Sequence, residues 1–376
     1  MDSAQNNLRV LVTGGGTGGH VYPALAVVEA LQADPSVTEI LYVGNPDKIE
    51  AWLTSERQIP FQPLVFSGMP RRPGLALIQW GFQLLAARKQ AAQILKDFQP
   101  SLVFGTGGYV TGPVMMSARK LNIPYVVHEP DAHPGLVNRQ SAKGAAAVTA
   151  AFKEARHILE NDNFHVTGNP LRGAIGQVSK ADALTALNLS WPPDGKVMVV
   201  TGGSQGAKTL NDAVVEALPY LIGDVGLHII HQTGDKSFKE TMAAIPQEYQ
   251  DHPNYLIKPY YANMPTVLGA ADFALCRAGS MTLSEMVQCG LPTILVPYPY
   301  AAADHQTKNA QAMVSAGAAL MIEDSYCHNL SLCEAVQELL LKEPGKLDEM
   351  RQVALALAHP NATAEIVAVL KSVIKN

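Results

Sequence analysis

Charge is scarce in this 376-residue chain: Asp, Glu, Lys and Arg make up 16% of it, and the net charge is −5. That balance gives no basic footprint for nucleic acid. It also gives no global pull towards anionic lipid, so any membrane contact has to be local. Long apolar runs are missing as well. Hydrophobic residues reach 47%, yet no stretch approaches the ~18 residues that a spanning helix needs. The opening MDSAQNNLRV has no basic segment followed by an apolar one, so no secretory leader is expected. Cysteine is sparse too. Cys276, Cys289, Cys327 and Cys333 form no CxxC pair, and no Cys/His cluster has zinc spacing. Buried or incidental thiols in a reducing cytosol are the expectation.

What is present is a regular alternation. The apolar runs LRVLVT, EILYVG, SLVFGTG, PYVVHE, AAAVTA and FHVTGN lie in the first half, separated by helical patterns. KVMVVTGG, LHIIHQTG, NYLIKPY, DFALCRAG, PTILVPYP and AALMIED follow in the second. Continuous apolar strands separated by helices predict parallel sheets covered on both faces. The length allows two or three domains. The halves open alike: Val12-Thr13-Gly14-Gly15 recurs as Val200-Thr201-Gly202-Gly203, 188 residues on. Between them HVTGNPLRGAIG, with Gly168, Pro170 and Gly173, reads as a hinge between two doubly wound domains. In such sheets ligands sit outside the carboxyl ends of the strands.

Gly14, Gly16 and Gly19 spell GxGxxG. A dinucleotide site also wants an acid about 20 residues on, ending the second strand. Here that strand exits through Gly44-Asn45-Pro46, and Asp47 comes late. An anion-friendly turn before a helix N-terminus fits better, with a ligand-free strand-to-helix turn as the plainer alternative. His20 falls at the helix start, where the imidazolium is disfavoured and a neutral, base-competent ring is expected. The competing role is a satisfied structural histidine.

From this point the motifs run in order. GGTGGHVYPALAVVEAL resembles the opening of the MurG family of glycosyltransferases. The resemblance continues through GTGGYVTGPV (105–114), HEPDAHPGLVNR (128–139), VTGNPLR (166–172), VTGGSQGAKTLN (200–211), CRAGSMTLSEMVQCGLPTILVPYP (276–299) and DHQTKNA (304–310). It implies a GT-B fold: two Rossmann-like doubly wound parallel-sheet domains facing across a cleft. Residues 1–168 would meet the lipid acceptor and the membrane, and residues 169–376 would hold UDP-GlcNAc, the last helix being a candidate to pack back on the first domain. The implied reaction is inverting transfer of GlcNAc from UDP-GlcNAc to the 4-hydroxyl of the muramyl sugar of lipid I, giving lipid II. It would take place peripherally on the cytoplasmic face of the cell membrane. The implied partners are UDP-GlcNAc and lipid I (undecaprenyl-pyrophosphoryl-MurNAc-pentapeptide), with no cofactor and no nucleic acid.

Such a transfer needs a base, charge stabilisation for departing UDP, and a held sugar. No two Asp residues stand one position apart, so the metal-holding DxD is absent. The diphosphate charge would fall to the GGSQGA turn with Ser204, to Arg172 as a forked cation, and to the helix start at Ser280, Met281 and Thr282. Arg172 could instead form a surface ion pair, and Glu285 could simply complement a helix dipole. The resemblance assigns Glu285 to the donor ribose, His305 and Gln306 to the GlcNAc, the backbone of Tyr261 to uracil, and substrate contacts to Thr17, Gly18, Gly19 and Tyr109. His20 is the base candidate, with Glu129 and Asp131 as carboxylate alternatives. Two positions depart from the family pattern. Asp131, placed on the GlcNAc with His305 and Gln306, stands where an Asn is usual, keeping acceptor capacity for a sugar hydroxyl but losing two N–H donors. His305 stands where some members carry Gln.

RRPGLALIQWGFQLLAARKQ (71–90) carries two apolar stripes, Leu75/Ile78/Phe82/Leu85 and Leu77/Trp80/Leu84. A surface helix needs one such face for its core. The second, flanked by Arg71, Arg72, Arg88 and Lys89, suits an anionic membrane surface; burial on two sides is the alternative. Leu77 and Trp80 are expected on the docking face. Three other functions compete: a transferase of the same fold acting on another lipid such as diacylglycerol, a non-catalytic sugar-nucleotide binder, and an oxidoreductase.

Overall fold

A computed structural model of the chain describes residues 7–70, 74–171, 173–203 and 205–374. Arg172, Ser204, Arg71 and Arg72 lie outside the described residues. The chain divides into two compact units, Met1–Leu171 with Asn361–Asn376, and Arg172–Pro360.

The first unit holds seven strands: β1 (Leu8–Thr13), β2 (Val37–Gly44), β3 (Phe61–Pro63), β4 (Leu102–Gly105), β5 (Tyr125–Glu129), β6 (Ala147–Ala150) and β7 (Phe164–Val166). They pair in the order β3-β2-β1-β4-β5-β6-β7, every pair parallel. The second unit holds β8 (Val197–Thr201), β9 (His228–Gln232), β10 (Tyr255–Lys258), β11 (Phe273–Cys276), β12 (Thr293–Leu295) and β13 (Ala319–Met321). Their order is β10-β9-β8-β11-β12-β13, again all parallel. The doubly wound parallel α/β class expected from the strand patterns is therefore what the chain adopts. Twelve strands coincide with the apolar runs. The thirteenth, β3, is three residues long with a proline, and such an edge strand leaves no apolar signal.

Alternation of side chains across each strand builds the layers. Val10 and Val12 point to one side of β1, where they meet Val21, Leu25 and Val28 of the Gly18–Gln32 helix. Leu11 points to the other, into a core with Ala87, Ala91 and Leu95 of the Leu75–Phe98 helix. Each fully buried Val or Leu contributes roughly 1.5–3 kcal/mol. Ile366 and Leu370 of the Ala362–Ser372 helix join the first of these cores, and Lys371 pairs with Asp34. The final helix thus belongs to the first unit although the second unit precedes it in sequence.

In each sheet the strand order reverses beside the first strand. Register there is level: Thr13 pairs with Gly105, and Thr201 with Cys276. The chain leaves adjacent strands at the same height, so the loops that follow lie side by side at each of these switch points, where ligands of such sheets bind.

Candidate active site

At the first switch point the loops after β1 and β4 lock together. Gly15 N–H donates to the Gly107 carbonyl at 3.2 Å, and Thr106 N–H to the Thr13 carbonyl at 3.0 Å. The Thr106 hydroxyl donates to the His20 carbonyl at 2.6 Å, tying the loop to the start of the Gly18–Gln32 helix. Gly107 has φ +103, and a Cβ there would stand 2.8 Å from the His20 ring. The missing side chain is the space that the imidazole occupies. His20 Nδ1 lies 3.2 Å from the Thr17 hydroxyl. Gly18 and Gly19 open the helix, where amide N–H groups have no carbonyl one turn back. Tyr109 is half exposed, with its ring against Gly68.

The next strand, β5, delivers His128 and Glu129, both buried. Asn169 Nδ2 donates to the Pro130 carbonyl, so its oxygen faces His128 Nε2 at 2.9 Å and accepts from it. Nδ1 then accepts from the Thr149 hydroxyl at 3.0 Å. Burial is the main cause that pushes the His128 pKa down to about 4. The Glu129 carboxylate accepts from the amides of Asp131 and Gly135 and from Asn138 Nδ2, at 2.9, 3.3 and 2.9 Å. Burial first, then the Asp131 charge, drives its pKa up; the three donors oppose that. Glu129 is thus enclosed and occupied by its own loop, unlike an accessible base. Asp131 is half-buried at the start of that loop.

At the second switch point Gly202, Gly203 and Gly206 turn after β8. A Cβ at Gly206 (φ +75) would fall 1.9 Å from the Thr233 carbonyl, so only glycine lets these two loops meet. Gln232, ending β9, is a connector that the sequence reading missed. Its amide donates to the Thr201 hydroxyl and the Gly203 carbonyl at 3.2 and 3.3 Å, and its oxygen accepts from Tyr261 N–H at 2.9 Å. The Tyr261 amide is therefore spent, and its carbonyl is the backbone group left to offer. The one clue in sequence was a polar residue closing an apolar strand. Behind Gln232, His231 is buried between the Tyr255 hydroxyl at 2.8 Å and Asn211 Oδ1 at 3.0 Å. Burial pushes its pKa down to about 3.

The Ser280–Gln288 helix begins where the sequence pattern placed it, with Gly279 before it. Ser280 is buried, while Met281, Thr282 and Glu285 are half-buried in the first turns. Asn309 Nδ2 holds the Ala278 carbonyl at 3.2 Å, supporting the turn. After β12, Ala303 and Asp304 adopt positive φ, 52° and 56°. His305 Nδ1 lies 2.6 Å from the Ala302 carbonyl, which can only accept, so Nδ1 carries a proton, and in the neutral ring Nε2 is the acceptor. Gln306 Oε1 accepts from Tyr298 N–H at 2.9 Å, leaving its NH2 to donate elsewhere. All four cysteines are free, and burial raises the Cys276 thiol to about 12 and Cys289 to about 11, which keeps them inert.

The Leu75–Phe98 helix corrects the choice of face. Trp80 and Leu84 pack on the core, Trp80 with its ring beside Phe66 and its N–H on the Ser67 carbonyl at 3.0 Å. Leu75, Ile78, Phe82 and Leu85 are the exposed stripe, at 79%, 59%, 69% and 60%. Leu77 is exposed at 39%, the first turn standing clear of the core on all sides. No helix among the described residues is long and apolar enough to cross a membrane.

Residues 10–150 match the glycosyltransferase family 28 N-terminal domain and residues 197–366 its C-terminal domain. A UDP-N-acetylglucosamine--N-acetylmuramyl-(pentapeptide) pyrophosphoryl-undecaprenol N-acetylglucosamine transferase of Desulforamulus reducens is 38% identical, covering 98% of this chain and 99% of the relative. The enzyme of the same description from Desulfitobacterium hafniense is 39% identical over 96% of this chain and 98% of its own. Among solved structures, Acinetobacter baumannii MurG superposes with a TM-score of 0.78 at 30% identity, covering 97% of this chain and 99% of that one. A UDP-GlcNAc 2-epimerase from Neisseria meningitidis, at 15% identity and a TM-score of 0.63, shares the fold alone. The chain belongs to glycosyltransferase family 28 and, within it, to the MurG family of N-acetylglucosamine transferases.

Proposed function

We infer that this chain transfers N-acetylglucosamine from UDP-N-acetylglucosamine to the 4-hydroxyl of the muramyl sugar of lipid I, inverting the anomeric centre and giving lipid II. The observation that carries this is kinship over nearly the whole chain with transferases of that name. The first unit serves the lipid acceptor and the membrane, and the second serves the donor together with Asp131 of the first.

His20 is the general base. The proton has to arrive on Nε2, so Nδ1–H must donate to the Thr17 hydroxyl, and the observed Thr17–His20 pair is consistent with that tautomer. Amides at Gly18 and Gly19, with Thr17 and Tyr109, line the acceptor side. On the donor side the Tyr261 carbonyl accepts from uracil, and Glu285 accepts from the ribose hydroxyls. The first-turn amides at Ser280, Met281 and Thr282 receive the diphosphate charge. Arg172 and Ser204 join them on the strength of their motifs alone. His305 and Gln306 read the sugar as a complementary pair, Nε2 accepting one hydroxyl proton and the Gln306 amide donating to another oxygen. Asp131 accepts from a GlcNAc hydroxyl.

The exposed stripe Leu75/Ile78/Phe82/Leu85, with Arg88 and Lys89 further along the helix, docks the enzyme on the cytoplasmic face of the membrane as a peripheral protein. Labelled UDP-GlcNAc, a short-chain lipid I analogue and EDTA test the activity. Labelled disaccharide lipid is expected. Intact donor binding without transfer would move the acceptor to another lipid, such as diacylglycerol.

A further inference from the structure

Glu50 is a charged side chain with no part in the chemistry above, yet none of its surface is exposed. Its Oε2 accepts from the Gly16 amide and its Oε1 from the Asn45 amide, both at 3.1 Å. Among the described residues no Lys, Arg or His side chain forms an ion pair with it. It sits in the first turn of the Ile49–Glu56 helix, whose N-terminus favours the anion. A buried carboxylate held by amides alone is costly to keep. The space around it is also reserved: a Cβ at Gly15 would meet Oε1 at 2.3 Å, and one at Gly44 would meet Cγ at 2.7 Å. Beside it the buried Tyr42 hydroxyl donates to the Gly14 carbonyl at 2.6 Å.

We propose that Glu50, seconded by Tyr42, is a positioning residue that sets the Gly14–Thr17 turn and through it Thr17, the Gly18 and Gly19 amides and His20. The inference rests on this turn being the acceptor side. Gly16 takes φ +86, a turn into the helix that the carboxylate holds from below, while the Thr106 hydroxyl holds the His20 carbonyl just beyond it from the β4 side. With Gly15 N–H on Gly107 and Gly16 N–H on Glu50, neither amide faces a ligand; the helix amides after Thr17 do. The same bond explains why the loop is no dinucleotide site. The carboxylate that follows the second strand turns inward to the glycine turn and away from any ribose.

Glu50→Gln tests this. Glutamine has one acceptor oxygen, and its NH2 would confront a backbone N–H. The expected result is a loss of at least about tenfold in kcat/KM for the lipid acceptor, as misplaced groups cost rate steeply. KM for UDP-GlcNAc and its Kd should stay within about twofold of wild type, the donor groups other than Asp131 lying in the other unit and Asp131 being set by the Glu129 loop. A merely structural residue would lower Tm and leave kcat/KM per folded enzyme unchanged, and that result overturns the proposal. The Gly16 and Asn45 amide proton resonances should also move upfield in the variant. If E50Q does not fold, Tyr42→Phe decides: a smaller acceptor-only loss supports the proposal, and wild-type acceptor kinetics refute it. Should the wild-type enzyme make no disaccharide lipid, the acceptor reading fails on its own, while the Gly16 resonance still reports the clamp.

Discussion

The two sheets have the same strand order around their switch points, yet they steady their glycine turns with different chemistry. In the first unit the props are buried acids, Glu50 under Gly16 and Glu129 under the 130–138 loop. In the second the central prop is a neutral amide, Gln232, which donates and accepts at once. An amide adds no charge behind turns proposed to receive a nucleotide diphosphate, where a fixed carboxylate would repel it. One device is common to both. His128 and His231 each give Nε2–H to an Asn oxygen, and that Asn holds a loop carbonyl, Pro130 in one case and Thr233 in the other. The two histidines occupy different places in their sheets, so the shared solution comes from the need to satisfy buried polar groups, and sheet position does not dictate it.

The division of labour can be broken most severely at His20. His20→Ala should lower kcat by about 10²–10⁴ with UDP-GlcNAc affinity unchanged, by equilibrium binding and steady-state rates. If donor binding fell equally, the two units would not be independent. Ile78→Ser with Phe82→Ser should weaken co-sedimentation with anionic vesicles by at least about a hundredfold, since burying each side chain contributes roughly 1.5–3 kcal/mol. Trp80→Ser should cost folding stability instead, because its ring packs inward. Gln232→Leu leaves Tyr261 N–H unpaired at about 1–3 kcal/mol. A rise of about tenfold or more in the donor KM is expected, with acceptor KM untouched.

The smallest effect on activity is one of pH and stability. His128 and His231 are buried neutral, with folded pKa values near 4 and 3 against about 6.5 unfolded. Between those limits the unfolded chain binds more protons, so stability rises with pH. Their contribution is complete above about pH 6.5 and is lost as pH falls through 4 and then 3. Glu129 works the other way: its raised pKa favours the folded state at low pH and loses that contribution as pH rises through its folded value. Urea unfolding across pH 4–7 should show a shallower slope for His231→Gln than for wild type. An unchanged slope would mean that His231 binds protons equally in the folded and unfolded chain.

Much of the first unit was legible because its signals are local. Strand runs, the GxGxxG turn and the helix start at Gly18 depend on neighbours a few residues apart. The choice between the two stripes of the 75–98 helix was not legible. Both have helical spacing, and only the position of Phe66 and the Ser67 carbonyl decides that Trp80 turns inward. Glu50 was passed over for a related reason: a lone acid early in a helix looks like a dipole partner.

By itself, then, the order of residues determined two parallel doubly wound sheets, glycine turns at the carboxyl ends of their strands, and the motifs that assign the family. These follow from periodicity and from turns that only certain residues can make. Tertiary structure alone decided which groups support those turns: Thr106 reaching His20 across 86 residues, Glu50 reaching Gly16 across 34, Gln232 reaching Tyr261 across 29. It also decided that the last helix joins the first unit. Such partners are fixed by packing of distant segments into one core, and no local pattern in the chain encodes that distance.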